Sequence, residues 1–232
     1  MKLYWNLIVC LMLTWLMIYK IPFQSGEISI IEEQHSADKI QEAYRTVLAE
    51  YDRAWQDEDY TMEKWQKVDG ITIEYISSKT VHYTLGYCIE DLVNDGIPEL
   101  IIGARREGEG EYEPIALFIY NGEEAILAIS RERYFINIYQ DGIVEVWGAA
   151  GWGVYMFFQI EEGKDGVEYL GELIVKESDE GKTWFYKEEV DCSEVEIEED
   201  EFTYIMNQYT TAKEELEWKP LEGFWKPESE LK

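Results

Sequence analysis

Apolar residues at Ile40, Ala43, Tyr44, Val47, Leu48, Tyr51, Ala54 and Trp55 recur at gaps of three and four, which places them on one face of a helix. Ser36 is positioned to cap that helix. A short second helical piece is expected at 62–68, ended by Asp69-Gly70. From Ile71 the period changes to two. Segments 71–76 and 81–89 alternate, so Val81, Tyr83, Leu85, Tyr87 and Ile89 share one face. Further strands are expected at 99–103, 115–120, 125–130, 134–139, 143–148, 154–160, 167–175 and 183–188. Asn121-Gly122, Asp141-Gly142, Asp165-Gly166 and Glu180-Gly181 fall between strands, and the Asn-Gly and Asp-Gly pairs are strong hairpin signals. No helix-length segment separates the strands, so the pattern is an antiparallel meander without βαβ units. Helical spacing returns at Phe202, Ile205, Met206, Tyr209, Ala212 and Leu216, with Glu198, Glu199, Asp200 and Glu201 at the positive end of the helix dipole. The expected fold is α+β: an antiparallel β meander sheet flanked by an N-terminal and a C-terminal amphipathic helix.

The start of the chain follows neither period. Residues 3–19 are apolar apart from Asn6 and Thr14. At 1.5 Å per residue such a helix covers about 25 Å, and extension to Phe23 reaches the thickness of a bilayer core. With Lys2 on the cytoplasmic side, residues 1–23 are expected to be a single-pass transmembrane signal anchor, inserted in the membrane through residues 3–23. Residues 24–35 would then be a linker and 36–232 one extracellular domain. The alternative is a cleaved signal peptide, which would leave the domain secreted.

Charge narrows the partners. The 232 residues carry 20 Lys+Arg against 49 Asp+Glu, a net charge of -29. Clustered cations for phosphate contacts are missing, so no nucleic-acid partner is expected. Docking on anionic lipid is disfavoured for the same reason. A chain that is 46% hydrophobic and 15% aromatic is not disordered. Lys2 and Lys20 lie before Gln24 and all 49 acids lie after it, so the remainder has 18 cations against 49 anions, a net of -31. The acidic runs 107–113 and 194–201 read as solvated faces.

The most specific local pattern is Asp91-Leu92-Val93-Asn94-Asp95-Gly96-Ile97-Pro98-Glu99. Calcium loops place oxygens at positions 1, 3 and 5, a glycine at 6, a carbonyl at 7 and a further acid. Asp91, Asp95, Gly96, Ile97 and Glu99 fit positions 1, 5, 6, 7 and 9, with Ile97 offering its carbonyl; Val93 at position 3 and Ile102 at position 12 offer nothing. The alternative is an ion-free β-turn built on Asn94-Asp95-Gly96. The segment from Tyr87 to Ile102 resembles a motif of exported and lipoprotein-like proteins of anaerobic Gram-positive bacteria, Asp-x-x-x-Asp-Gly-Ile-Pro-Glu-Leu, itself similar to the calcium loops of integrin-type (FG-GAP/VCBS) repeats. The resemblance implies an extracellular domain stabilised by calcium, with Asp91, Asp95 and Glu99 as ligands.

Other chemistry is sparse. His35 and His82 are the two histidines, too few for a multi-histidine zinc site, and no nucleophile elbow or P-loop occurs. Gly148-Ala149-Ala150-Gly151-Trp152-Gly153 reads as a flexible hairpin loop or a ligand-facing one. Cys88 and Cys192 are candidates for a disulfide outside the cell. Trp147, Trp152, Tyr155 and Trp184 are candidates for stacking on a ligand. No residue is assigned a catalytic role. Three functions compete: a binding or sensing module for an unknown glycan or protein ligand, a cell-surface glycan hydrolase using paired carboxylates, and an acidic inhibitor or partner of a basic protein.

Overall fold

The computed structural model describes residues 25–56, 83–108, 110–130, 135–148, 152–161 and 166–224, with side chains from residue 37 onward except that of Trp152. The expected anchor 1–23, the helical piece 62–68, the strand 71–76, His82 and residues 149–151 of the loop 148–153 lie outside the described residues. The chain divides into two units, Met1–Asp38 and Lys39–Lys232. In the first, the described part is the opening of a helix; the second holds the strands. Among the described residues no helix is long and apolar enough to cross a membrane.

Helix α1 spans Ser25–Gln56. It begins well before Ser36, which therefore lies inside it, and it runs through the stretch expected as a linker. Glu27, Glu32, Glu33 and Gln34 are good helix formers, and acids near the start complement the dipole. The apolar stripe packs as its spacing requires, with Ile40, Tyr44, Val47, Leu48 and Tyr51 buried.

The strands are β1 Tyr83–Glu90, β2 Glu99–Arg106, β3 Glu113–Tyr120, β4 Ala125–Ser130, β5 Phe135–Ile138, β6 Ile143–Gly148, β7 Trp152–Ile160, β8 Val167–Ser178, β9 Gly181–Lys187, β10 Val195–Ile197 and β11 Lys219–Pro220. Helix α2 spans Glu199–Tyr209. The two shortest strands, β10 and β11, were not expected. The others fall within a few residues of the alternating segments.

The expected single sheet is in fact two. One has the order β11-β1-β2-β3-β4, the other β10-β9-β8-β7-β6-β5, and the pairings throughout are antiparallel. Within each sheet the meander is as expected; the break falls between β4 and β5. The reason is visible in β2 and β3. All residues from Glu99 to Ala104 and from Ile115 to Tyr120 are buried, so neither strand has a solvent face. Leu100, Ile102 and Phe118 point to α1, where Tyr51 meets Phe118 edge-on at 6.0 Å. Ile101, Leu117 and Ile119 point the other way, against Ile136, Val144, Val146 and Ile160 of the second sheet. A continuous apolar run in an antiparallel strand means a layer covered on both sides. The order of layers is therefore α1, first sheet, second sheet, and then α2, whose Phe202 and Tyr209 meet Tyr155 and Phe157.

Helix α2 ends at Tyr209, so Ala212 and Leu216 do not continue its stripe as their spacing suggested. Thr210 donates both its N–H and its Oγ1 hydroxyl to the carbonyl of Met206, and the β-branched pair Thr210-Thr211 then takes the chain out of the helix. Beyond it the chain runs on as an extended strap. Glu214 N donates to the Ile138 carbonyl and Gln140 N donates to the Ala212 carbonyl, which covers the β5 edge. Further on, β11 pairs with β1, and Leu221 N donates to the Leu85 carbonyl. One segment thus caps an exposed edge of each sheet, the positions most prone to unwanted strand pairing.

Opposed glycines make room for the strap's anchor. Gly86 and Gly103 are cross-strand partners on β1 and β2. A Cβ on Gly103 would stand 2.5 Å from the Trp218 ring, and one on Gly86 would stand 2.7 Å from Tyr112. The two rings occupy the depression the glycines leave, with centroids 5.4 Å apart. Gly103→Ala is expected to cost about 1 to 3 kcal/mol by overpacking against Trp218. Urea unfolding measures this; an unchanged midpoint would mean that the ring is free to move aside.

Candidate functional site: a carboxylate-closed loop and an aromatic cleft

The loop between β1 and β2 holds Asp91, Asp95 and Ile97 of the four residues expected at a metal, and the fourth, Glu99, is the first residue of β2. Asn94 (φ 60°) and Gly96 (φ 87°) adopt left-handed backbone, which tightens the turn around Asp95. Asp91 Oδ1 accepts from Asp95 N at 3.1 Å and its Oδ2 from Gly96 N at 2.9 Å. Asp95 Oδ1 accepts from Ile97 N at 2.8 Å. Glu99 Oε2 accepts from Leu92 N at 2.9 Å, across the base of the loop. From the helix side, the Tyr44 hydroxyl donates to the Pro98 carbonyl at 2.6 Å. The turn therefore closes on its own backbone N–H groups, as the ion-free alternative requires.

The electrostatics work against that closure. Glu99 opens β2 and is 2% exposed. Burial, then the charges of Asp95 and Asp91, push its carboxyl from 4.5 up to about 7 against the opposing bond from Leu92. The three carboxyl groups of the expected metal site, Asp91, Asp95 and Glu99, are thus near enough for the first two to act on the third. Two facts weigh against a closed calcium site. Val93, at the third loop position, is packed into the inter-sheet core. Among the described residues no group of three His, Cys, Asp or Glu side chains is arranged to hold an ion. Ile97 contributes its N–H to Asp95 and its side chain to the α1 core.

The second feature is a cleft of about 990 Å³ lined by the ends of β2 and β3, by β5 and β6, and by the strap. Tyr112 and Trp218 form one wall, and the Arg105 guanidinium lies 4.7 Å from the Tyr112 ring centre. Phe135 and Trp147 form another, stacked at 4.6 Å. On the same face of the second sheet, Trp147 also stacks on Tyr155 at 6.3 Å, and Tyr155 in turn meets Phe202 of α2. A polar relay completes the wall. Lys213 Nζ donates to Asn137 Oδ1 at 2.8 Å, and Asn137 Nδ2 donates to buried Glu145 Oε2 at 2.6 Å. Tyr139 donates to the same oxygen at 2.7 Å, and burial together with Glu145 pushes its hydroxyl up. Two neutral donors on a carboxylate that is 4% exposed offset the cost of burying it.

Of the four stacking candidates, Trp147 lines the cleft and Tyr155 stacks on Trp147 from the next strand. Trp184 lies on β9, two strands from Tyr155, and the side chain of Trp152 is outside the described residues. Sequence reasoning passed over Phe135, Tyr112 and Trp218. The pair Gly86 and Gly103 was the available signal, since glycines inside strands mark a close approach. Cys88 and Cys192 do not pair. Both are free thiols, Cys88 buried between the sheets and Cys192 exposed beyond β9. Burial pushes the Cys88 thiol up to about 12, which leaves it unreactive.

Fold and site together define an acidic domain of two stacked antiparallel sheets, with a carboxylate-closed loop and an aromatic cleft. Comparison with protein-family models, with curated proteins and with solved structures finds no match to this chain. The calcium-loop resemblance therefore stands on the residues Tyr87 to Ile102 alone.

The raised pKa of Glu99 fixes a sign. The folded state holds a proton that the unfolded chain releases between pH 4.5 and about 7. The stabilising contribution of that proton is full below pH 4.5 and is lost as pH rises to about 7, on the order of 3 kcal/mol in all. Glu99→Gln keeps an acceptor for Leu92 N and should flatten this part of the pH dependence. Denaturation midpoints from pH 4 to 8 for both proteins test it, the mutual repulsion of the other acids being common to the pair.

Proposed function

We propose that this chain is a membrane-anchored extracellular binding module that takes a glycan or protein ligand in the cleft lined by the ends of β2 and β3, by β5 and β6, and by the strap. The observation that carries the reading is the cleft itself: about 990 Å³, with four aromatic rings, Tyr112, Phe135, Trp147 and Trp218, in its walls. Ligand sites are concave and combine apolar walls with fixed polar groups; here Arg105, Asn137, Lys213 and the glutamates Glu111, Glu113, Glu214 and Glu215 stand beside the rings. Display outside the membrane is supported by the apolar run 3–23 and by an acid-rich remainder.

Glycan hydrolysis is the weaker reading. Cleavage needs a proton-donating carboxyl beside the bound sugar. Glu99, the carboxyl pushed up to about 7, does not line the cleft. The binding reading is tested by titrating the full chain with neutral oligosaccharides and with peptides while following tryptophan fluorescence. A ligand of one class should quench it, and Phe135→Ala, at a residue 37% exposed, should weaken that ligand about threefold to tenfold without loss of fold. Failure of both classes would remove the cleft as a binding site.

The second part of the proposal is that calcium adds stability at the loop, through Asp91, Asp95 and Glu99. The mutual repulsion at Glu99 supports it. A ligand at about a hundred times its dissociation constant stabilises a fold by about 2.7 kcal/mol. The melting temperature should rise with calcium, fall back with chelator, and show no such response in Asp95→Ala. An equal response in that variant would mean that calcium merely screens an acidic chain.

A further inference from the structure

The turn between β3 and β4 sets a backbone nitrogen beside a polarised side-chain amide. Asn121 and Gly122 open the turn, and Gly122, Glu123 and Glu124 are exposed. Asn121 Oδ1 accepts from two successive backbone N–H groups, Glu123 N at 3.0 Å and Glu124 N at 2.8 Å. Two donors on one carbonyl oxygen polarise the amide and stabilise negative charge that develops there. The Gly122 N–H is bonded to no protein group among the described residues, while the Gly122 carbonyl accepts from the Tyr120 hydroxyl at 2.7 Å. With φ 94° and nothing within 4 Å of the place a Cβ would take, Gly122 gives its nitrogen no steric shield. The other described asparagines lack this combination. Asn94 is followed by Asp95, whose N–H is held by Asp91 Oδ1. Asn137 has its amide tied to Glu145 and Lys213. Asn207 lies within α2, where the following N–H belongs to the helix ladder. Asp95 also precedes a glycine, but the Gly96 N–H is held by Asp91 Oδ2.

We propose that Asn121-Gly122 is a self-modification site, at which the chain's own backbone displaces ammonia from the side-chain amide. Gly122 N loses its proton to hydroxide and bonds to Asn121 Cγ, and the oxyanion of the tetrahedral intermediate is held by Glu123 N and Glu124 N. The amide C–N bond then breaks, and ammonia leaves with a proton taken from water. The resulting five-membered succinimide takes up one water molecule. Opening at the new Cγ–N bond gives an aspartate on an unchanged backbone; opening at the original peptide bond gives an isoaspartate, with the chain rerouted through the side chain. The aspartate keeps the acceptor for both N–H groups. The isoaspartate adds a methylene between Tyr120 and Ala125, which are directly paired and both buried, and so strains the edge of the first sheet.

Any Asn-Gly pair has the advantage of an unhindered nitrogen, so the test compares each site with itself, folded and unfolded. The full chain is held at mildly alkaline pH with and without guanidinium chloride, and peptide mapping by mass spectrometry follows Asn121 and Asp95. In the folded chain Asn121 should convert to aspartate and isoaspartate about threefold to tenfold faster than in the unfolded chain, with ammonia released in equal amount and a rate that rises with pH. Asp95, which can isomerise only through a nitrogen already held by Asp91, should react several-fold more slowly folded than unfolded. Asn94, Asn137 and Asn207 should stay intact while the chain is folded. The isoaspartyl fraction should melt below the Asn121→Asp variant; equal melting would overturn the strain at the sheet edge. Conversion of Asn121 no faster in the folded chain would overturn the role of the two N–H donors. Aspartate without isoaspartate would mean direct attack by water and remove Gly122 from the reaction. An equal change at Asn121 and Asp95 on folding would show that the bonds around each nitrogen do not set the rates, and would also overturn the proposal.

Discussion

β2 and β3 are buried on both faces, and the remaining architecture answers that requirement. Two adjacent strands carrying Leu100, Ile101, Ile102, Leu117, Phe118 and Ile119 expose apolar surface in both directions. Each such side chain is worth about 1.5 to 3 kcal/mol when covered, so neither face can be left to water. Helix α1 covers one side and the second sheet covers the other. The second sheet then has an outer face of its own, which α2 partly covers with Phe202 and Tyr209.

The same constraint explains the loop. Glu99 is the first residue of β2, and the burial of that strand carries its carboxylate inward. The cost is offset by the bond from Leu92 and increased by Asp91 and Asp95, which must stay close because their oxygens tie down the turn. A tight turn and a buried acid are thus coupled: the residues that shape the one raise the energy of the other. Tyr44 joins this unit to α1 through the Pro98 carbonyl, so the loop is held from the helix layer as well as from the sheet.

The strap couples the sheets at their edges and builds the cleft while doing so. Its backbone covers β5 and then β1, and between those two attachments it supplies Glu214, Glu215, Leu216 and Trp218 to the cleft. Trp218 seats in the depression at Gly103, which fixes one wall relative to the first sheet. Lys213 reaches Asn137 and, through it, Glu145, which fixes the strap relative to the second. Edge protection and site construction are the work of one segment.

What the sequence determined by itself was local. The period of the apolar positions sufficed for the buried face of α1 and for most strands, because a helix and a strand each impose a repeat on any chain that buries one side. The spacing of Asp91, Asp95 and Gly96 sufficed for a tight carboxylate turn, because an Asx-type bond reaches only a few residues. The tertiary structure decided everything that depends on which surfaces meet. The division into two sheets, the burial of Glu99, the separation of Cys88 from Cys192, and the convergence of Phe135, Tyr112, Trp147 and Trp218 on one cleft join residues far apart in the chain. One sequence signal pointed across that distance: the unbroken apolar runs in β2 and β3, whose lack of alternation meant a second covering layer. The end of α2 at Tyr209 was hidden for the opposite reason. Ala212 and Leu216 have helical spacing, but the backbone bonds to β5 and the burial of Leu216 and Trp218 outweigh a weak local preference.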